Sequence, residues 1–247
     1  MKPGTGEWIQ AGFFVITDGK APARQGSPLP ARVVTVCTCI GESYPDAWAL
    51  PGVEVPEKTL SGVRRTLALD DREFGDLRTW VERALENEAL GWPNVFFSLR
   101  EARSFSARFL GAVRNVRLVG LSLSADVAAE FLRAEAPPAG SGGTGVWKAL
   151  ARNVPLARED PPLGFDVLGF EPDGTSHTFA CNGLEVLYKS KLGTAFNVHG
   201  LIDDYGSATV ASEATNRDGA GAEPVPWYPF RVDEYRFDED GRGSARR

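Results

Sequence analysis

The chain has 247 residues, longer than the ~100–150 usual for a single domain, so its length admits one large domain or two smaller ones. Hydrophobic residues make up 43% and charged residues 24%, a balance that supplies a core and argues against disorder of the whole chain. The formal net charge is −6 and the basic residues are scattered singly among acids, so nucleic acid is not an expected partner, whereas a protein partner of basic character is.

At the N-terminus no apolar segment follows Lys2, and the longest apolar runs are too short to span a bilayer. Neither export nor a membrane is expected, and a cytoplasmic location is. The three cysteines, Cys37, Cys39 and Cys181, do not suggest a disulfide framework, which fits a reducing compartment. Residues 8–16 are aromatic and β-branched, and residues 32–40 place Val34, Val36, Thr38 and Ile40 on one face; both stretches predict strands. Asp18-Gly19 and Gly26-Ser27-Pro28-Leu29-Pro30 supply a long loop between them. Tyr44-Pro45-Asp46 then interrupts the pattern, and residues 47–50 predict a short edge strand.

A short helix is expected over residues 58–69. The strongest helix signal begins near Asp71, where acids crowd the first turn, and Phe74, Leu77, Val81, Ala84 and Leu85 recur at helical spacing until about Gly91. Another helix is expected over residues 99–110. Residues 113–123 carry Val116, Leu118, Val119, Leu121 and Leu123, apolar on both parities, as in a strand covered on both faces. Ser124 is placed to cap a helix running to about Glu135.

Residues 137–145 are rich in Pro, Gly and Ser and mark a boundary. The chain therefore divides into an N-terminal α/β half (1–136), a Gly/Pro-rich linker or loop (137–146), a C-terminal α/β half (147–240) and a disordered tail (241–247). In the second half, residues 147–153 predict one or two helical turns and residues 164–170 a strand. Residues 183–192 predict a helix with Leu184, Leu187 and Tyr188 on one face, a Glu185–Lys189 pair on the other, and Gly193 as its stop. Asp204 is placed to cap a helix carrying Ala208, Ala211 and Ala214. A last strand follows Pro224 and Pro226, and its change of parity between Val232 and Tyr235 predicts a bulge near Glu234. The class expected is α+β (mixed α/β): a central, mostly antiparallel or mixed sheet with helices packed on it, in two halves of similar size.

Four groups of residues invite a chemical reading. Gly140-Ser141-Gly142-Gly143-Thr144-Gly145 matches a dinucleotide fingerprint and has Lys148 nearby, but prolines stand where a strand is required, so a linker is expected and no nucleotide. Cys37-Thr38-Cys39, read within a strand, points its thiols to opposite faces, and no further Cys and His set completes a zinc site; no metal or cofactor is expected, and each cysteine reads as buried and inert. The densest polar constellation covers residues 176–185 and 197–205 and holds both histidines, His177 and His199. There Cys181, just before the predicted helix, is a candidate nucleophile with His199 or His177 as base and Asp203, Asn182 or Asn197 orienting the imidazole. In the simpler account Asn182-Gly183 starts a helix, His199-Gly200 marks a turn and Cys181 fills core space. Among six tryptophans, Trp92, and Trp227 with Tyr228, are candidate partner-binding anchors, because such side chains bury much area at little rotamer cost.

The expected function is non-enzymatic binding of another macromolecule, in the manner of a bacterial immunity or antitoxin-like neutraliser acting by protein–protein contact. The alternative is a hydrolase or transferase using Cys181 and His199. A second alternative is a small-ligand sensor with its pocket at the C-terminal ends of central strands.

Overall fold

Ten residues, Trp8–Thr17, form β1, an aromatic and β-branched strand suited to a pleated, covered position. The computed structural model describes residues 7–138, 142–157, 160–218 and 221–237. A small separate sheet follows, β2 (Gly19–Lys20) paired with β3 (Arg32–Val33), enclosing the predicted loop. Beyond Val33 the chain leaves the strand. The Val34 N–H donates to the His199 carbonyl at 2.9 Å, Thr35 Oγ1 accepts from the Cys37 N–H at 3.1 Å, and residues 38–40 turn. The strand expected over residues 32–40 is thus corrected to two residues: Val34 and Val36 are buried by tertiary packing, not by sheet pairing. β4 (Glu42–Tyr44) returns antiparallel to the end of β1. Residues 47–50, expected as a strand, hold a 3-10 turn over Ala47–Ala49, whose first N–H donates to the Asp46 side chain at 2.7 Å.

α1 (Glu57–Leu67) and α2 (Asp71–Glu86) come next. α2 opens on a reciprocal cap: the Asp70 side chain accepts from the Glu73 N–H at 2.8 Å, and the Glu73 side chain accepts from the Asp70 N–H at 2.9 Å. Its Phe74, Leu77 and Val81 are buried, each worth about 1.5–3 kcal/mol on removal from water. The helix stops at Glu86, short of Gly91, because Leu90–Gly91 is β5, paired with β6 (Val95–Phe96). α3 (Leu99–Phe109) leads into β7 (Val116–Ser124), which runs antiparallel along the whole of β1, Trp8 opposite Ser124 and Thr17 opposite Val116. The register shifts between Gln10 and Gly12. Gly12 has φ +113°, and a Cβ there would collide with Val95, so this bulge requires glycine.

α4 (Ala125–Ala134) and α5 (Gly145–Ala151) precede β8 (Gly164–Phe170) and β9 (Ser176–Thr178), an antiparallel pair. The helix expected over residues 183–192 forms as two consecutive turns, α-helical and then π-helical, and Gly193 is its stop. α6 (Phe179–Asn182) and α7 (Leu184–Leu187) are separated by Gly183 at φ +78°, and a π-helical turn, Tyr188–Leu192, follows. The π turn changes the helical phase between Glu185 and Lys189. Glu185 faces inward, fully buried with its Oε1 3.6 Å from Arg24 Nη1, where an exposed pair with Lys189 was expected. α8 (Tyr205–Asp218) starts at Asp204, whose side chain accepts from the Ser207 N–H at 2.9 Å, and β10 (Trp227–Tyr235) ends the described chain's regular structure.

Among the described residues, eight strands make one antiparallel sheet in the order β5-β6-β1-β7-β10-β8-β9, with β4 also beside β1; the fold is α+β. β10 lies between β7 and β8, so strands from both sides of residues 137–146 share this sheet. Its register on β7 is unbroken from Arg231 opposite Ser122 to Tyr235 opposite Leu118, so the bulge expected near Glu234 is absent; its parity changes because both faces are covered. One face packs Leu121, Phe170 and Phe230 against α4 and α5. The other packs Val15 and Leu118 against α2 and α3 at one end, and Phe165, Val167 and Trp227 against α7 and α8 at the other. No helix among the described residues is long and apolar enough to cross a membrane. Residues 139–141 of the Gly-rich stretch and the tail 241–247 lie outside the described residues.

Candidate functional site

Asp166, on β8, is buried and accepts from Thr35 Oγ1 at 3.2 Å and from Thr178 Oγ1 at 2.6 Å. One carboxylate thereby ties the loop before Cys37 to the segment between His177 and Cys181. Arg24 adds a second tie, donating to the Ala180 and Cys181 carbonyls at 2.7 Å each. The result is a three-thiol cluster: the sulfurs of Cys37, Cys39 and Cys181 all lie within 4.8 Å of one another. The expected placement of Cys37 and Cys39 on opposite faces is overturned because residues 38–40 turn, and period-two alternation does not apply there.

His177 joins this cluster from β9. Its Nδ1 stands 3.6 Å from Cys39 Sγ, and its Nε2 is 2.8 Å from Glu171 Oε1. Glu223 Oε1 lies 3.6 Å from the same Nδ1, while Glu223 Oε2 is buried with no hydrogen-bond partner. A hydrogen bond with Cys181 and burial hold the Cys37 thiol far above the ordinary cysteine range, and burial pushes Cys39 up to about 11. Burial likewise pushes Asp166 up to about 7, against the lowering effect of its two threonine donors.

The residues expected to form a nucleophilic set direct their hydrogen bonds to other partners. Cys181 sits within the short turn α6, not ahead of a helix; its thiol donates to the Thr178 carbonyl at 3.1 Å and accepts from Asn182 Nδ2 at 3.3 Å. His199 belongs to a turn in which Asn197 Oδ1 accepts from its N–H at 2.9 Å, and its carbonyl accepts from Val34. Asp203 is exposed, with its N–H directed at the Ala195 carbonyl at 3.4 Å. None of the hydrogen bonds of Cys181 reaches His199 or Asp203. The imidazole brought to the thiols is His177.

Of the aromatic anchors, Trp227 and Tyr228 are corrected to core residues, 2% and 5% exposed. Trp227 fills the cluster under α8, and the Tyr228 ring packs 4.9 Å from that of Phe131. Trp92 is 37% exposed, and its indole N–H donates to the Asp173 carbonyl at 2.6 Å. It forms one wall of a groove of about 490 Å³ with Pro137 and Pro172, whose charged lining residues are Glu135, Glu171 and Asp173; Lys148 stands at the rim beside Gly142. Burial raises the Glu135 carboxyl above its ordinary range. A separate cavity of about 460 Å³ opens at the β1 bulge, between Phe13, Phe97, Arg152 and Tyr235. Comparison with protein-family models, with curated proteins and with solved structures finds no match to this chain.

Proposed function

We propose that this chain is a non-enzymatic protein-binding protein that takes a basic segment of its partner into the Trp92 groove. The observation that carries this reading is a half-exposed indole set among the carboxylates of Glu135, Glu171 and Asp173. An aromatic face beside carboxylates suits a guanidinium or ammonium, by cation–π attraction and charge-assisted hydrogen bonds. An arriving cation would also stabilise the ionised form of Glu135 that burial disfavours. The chain's net charge of −6 favours encounter with such a partner. Neutralisation of a basic protein, in the manner of an immunity or antitoxin-like protein, is the form of this activity we carry forward.

Cross-linked capture from the source cells tests it, comparing the wild type with Trp92→Ala and Glu135→Gln. We expect a basic partner that is released as salt rises, and a loss on Trp92→Ala of about 2 kcal/mol or more, roughly 30-fold in affinity. Identical partners at identical yield from all three proteins would eliminate the groove as the binding surface.

A further inference from the structure

We infer that Cys37, Cys39, Cys181 and His177 form a tetrahedral binding site for a zinc ion. The donors arrive as two short pairs, Cys37-x-Cys39 in one turn and His177-x-x-x-Cys181 across the junction of β9 and α6. Around tetrahedral zinc, with Zn–S near 2.3 Å and Zn–N near 2.0 Å, ligand atoms sit roughly 3.5–3.8 Å apart. Here the three sulfurs lie within 4.8 Å of one another, and His177 Nδ1 is 3.6 Å from Cys39 Sγ alone, so completing the set requires the imidazole to move toward the other two sulfurs.

The surroundings are those of a ligand set. Glu171 holds His177 Nε2 at 2.8 Å, which leaves Nδ1 as the coordinating atom; a carboxylate behind a metal-bound imidazole fixes its tautomer and raises its basicity. Asn182 Nδ2, 3.3 Å from Cys181 Sγ, supplies an N–H donor to a thiolate. Independently of these, the buried Glu223 Oε2 has no hydrogen-bond partner while Oε1 of the same group lies 3.6 Å from His177 Nδ1. A buried carboxylate oxygen left without a partner is costly, which marks the neighbourhood of His177 Nδ1 as one whose polar groups are not yet all engaged.

On binding, three S–H bonds are replaced by three Zn–S bonds and the protons pass to solvent; nothing is oxidised or reduced. Four protein donors leave no open coordination position, so the ion is structural. It locks the loop carrying Cys37 and Cys39 onto β9 and α6, and fixes Glu171, which also lines the Trp92 groove.

The test uses the full chain, reduced, stripped with a chelator, and loaded with zinc chloride or cobalt chloride alone. We expect about one zinc per chain to survive desalting, and the cobalt form to show sulfur-to-metal charge transfer with the intense ligand-field bands of a tetrahedral site. Cys39→Ser, at an exposed position, is expected to keep its far-ultraviolet circular dichroism while losing charge-transfer intensity. Glu171→Gln, which leaves every ligand in place, is expected to weaken zinc binding about 10–100-fold. Reduced wild type that retains no zinc after desalting would overturn the assignment, as would a Cys39→Ser protein with an unchanged cobalt spectrum. A disulfide between two of the three thiols, with no zinc uptake after its reduction, would overturn it equally.

Discussion

At Asp166 the cost of burying a carboxylate is set against two hydroxyl donors, and burial wins, holding the carboxyl near 7 against an ordinary 3.8. The folded state therefore binds the proton more tightly than the unfolded chain between those values. The stability this group contributes is complete below about pH 4 and is lost as pH rises through about 7. We expect the urea midpoint of the reduced, metal-free protein to fall between about pH 4 and about pH 7 and to level off above that. Asp166→Asn should flatten that fall by an amount on the order of a few kcal/mol, at about 1.4 kcal/mol per pKa unit. Parallel pH profiles for the two proteins would show that Asp166 titrates normally. Glu185 presents a second buried carboxylate, with neither oxygen hydrogen-bonded and Arg24 at 3.6 Å as its ion-pair partner. Arg24→Met should lower the unfolding free energy by about 3–5 kcal/mol, because it strands a buried charge, and adding Glu185→Gln should return part of that loss. Equal losses in the single and double variants would assign the whole effect to the Ala180 and Cys181 carbonyls that Arg24 also serves. The burial of Glu185 is not legible from spacing alone: it pairs with Lys189 on paper only if the turn is α-helical throughout, and from Tyr188 it is π-helical.

Elements whose signal is local read well, and α2 shows why. Its apolar spacing and its acids at the first turn act within a few residues, and the structure reproduces both its start and its buried face. Asp70→Ala removes one half of the reciprocal cap and should cost about 1 kcal/mol, seen as a lowered thermal midpoint with unchanged helix content. β7 is legible for a related reason, since apolar residues on both parities have no explanation but cover on both faces. Residues 32–40 mislead because Val34 and Val36 mimic strand alternation while their backbone is engaged elsewhere, Val34 with the His199 carbonyl. The thiol cluster inherits that error. The signal available was two short pairs of soft donors, Cys37-x-Cys39 and His177-x-x-x-Cys181; what the chain does not display locally is their convergence, which depends on Thr35 and Thr178 meeting Asp166.

For the molecule as a whole, the Gly-rich boundary divides the sequence but not the sheet. β10 has β7 on one side and β8 on the other, and the Phe131 ring of α4 packs against Phe170 and Tyr228 from beyond the boundary. A chain cut there would leave β7 with one unpaired edge and the β10 edge open, exposing apolar faces that the other half covers. Residues 1–136 and 147–240 produced separately should therefore lack a cooperative unfolding transition, whereas the two produced together should co-purify and unfold as one. A cooperative transition in either piece alone would establish an independent core. The thiol cluster makes the experiment more discriminating, because Cys37 and Cys39 come from one piece and His177 and Cys181 from the other. Zinc held there binds only the joined state, so it should tighten the association of the two pieces, and a chelator should loosen it, by the linkage that couples any ligand to the state it prefers.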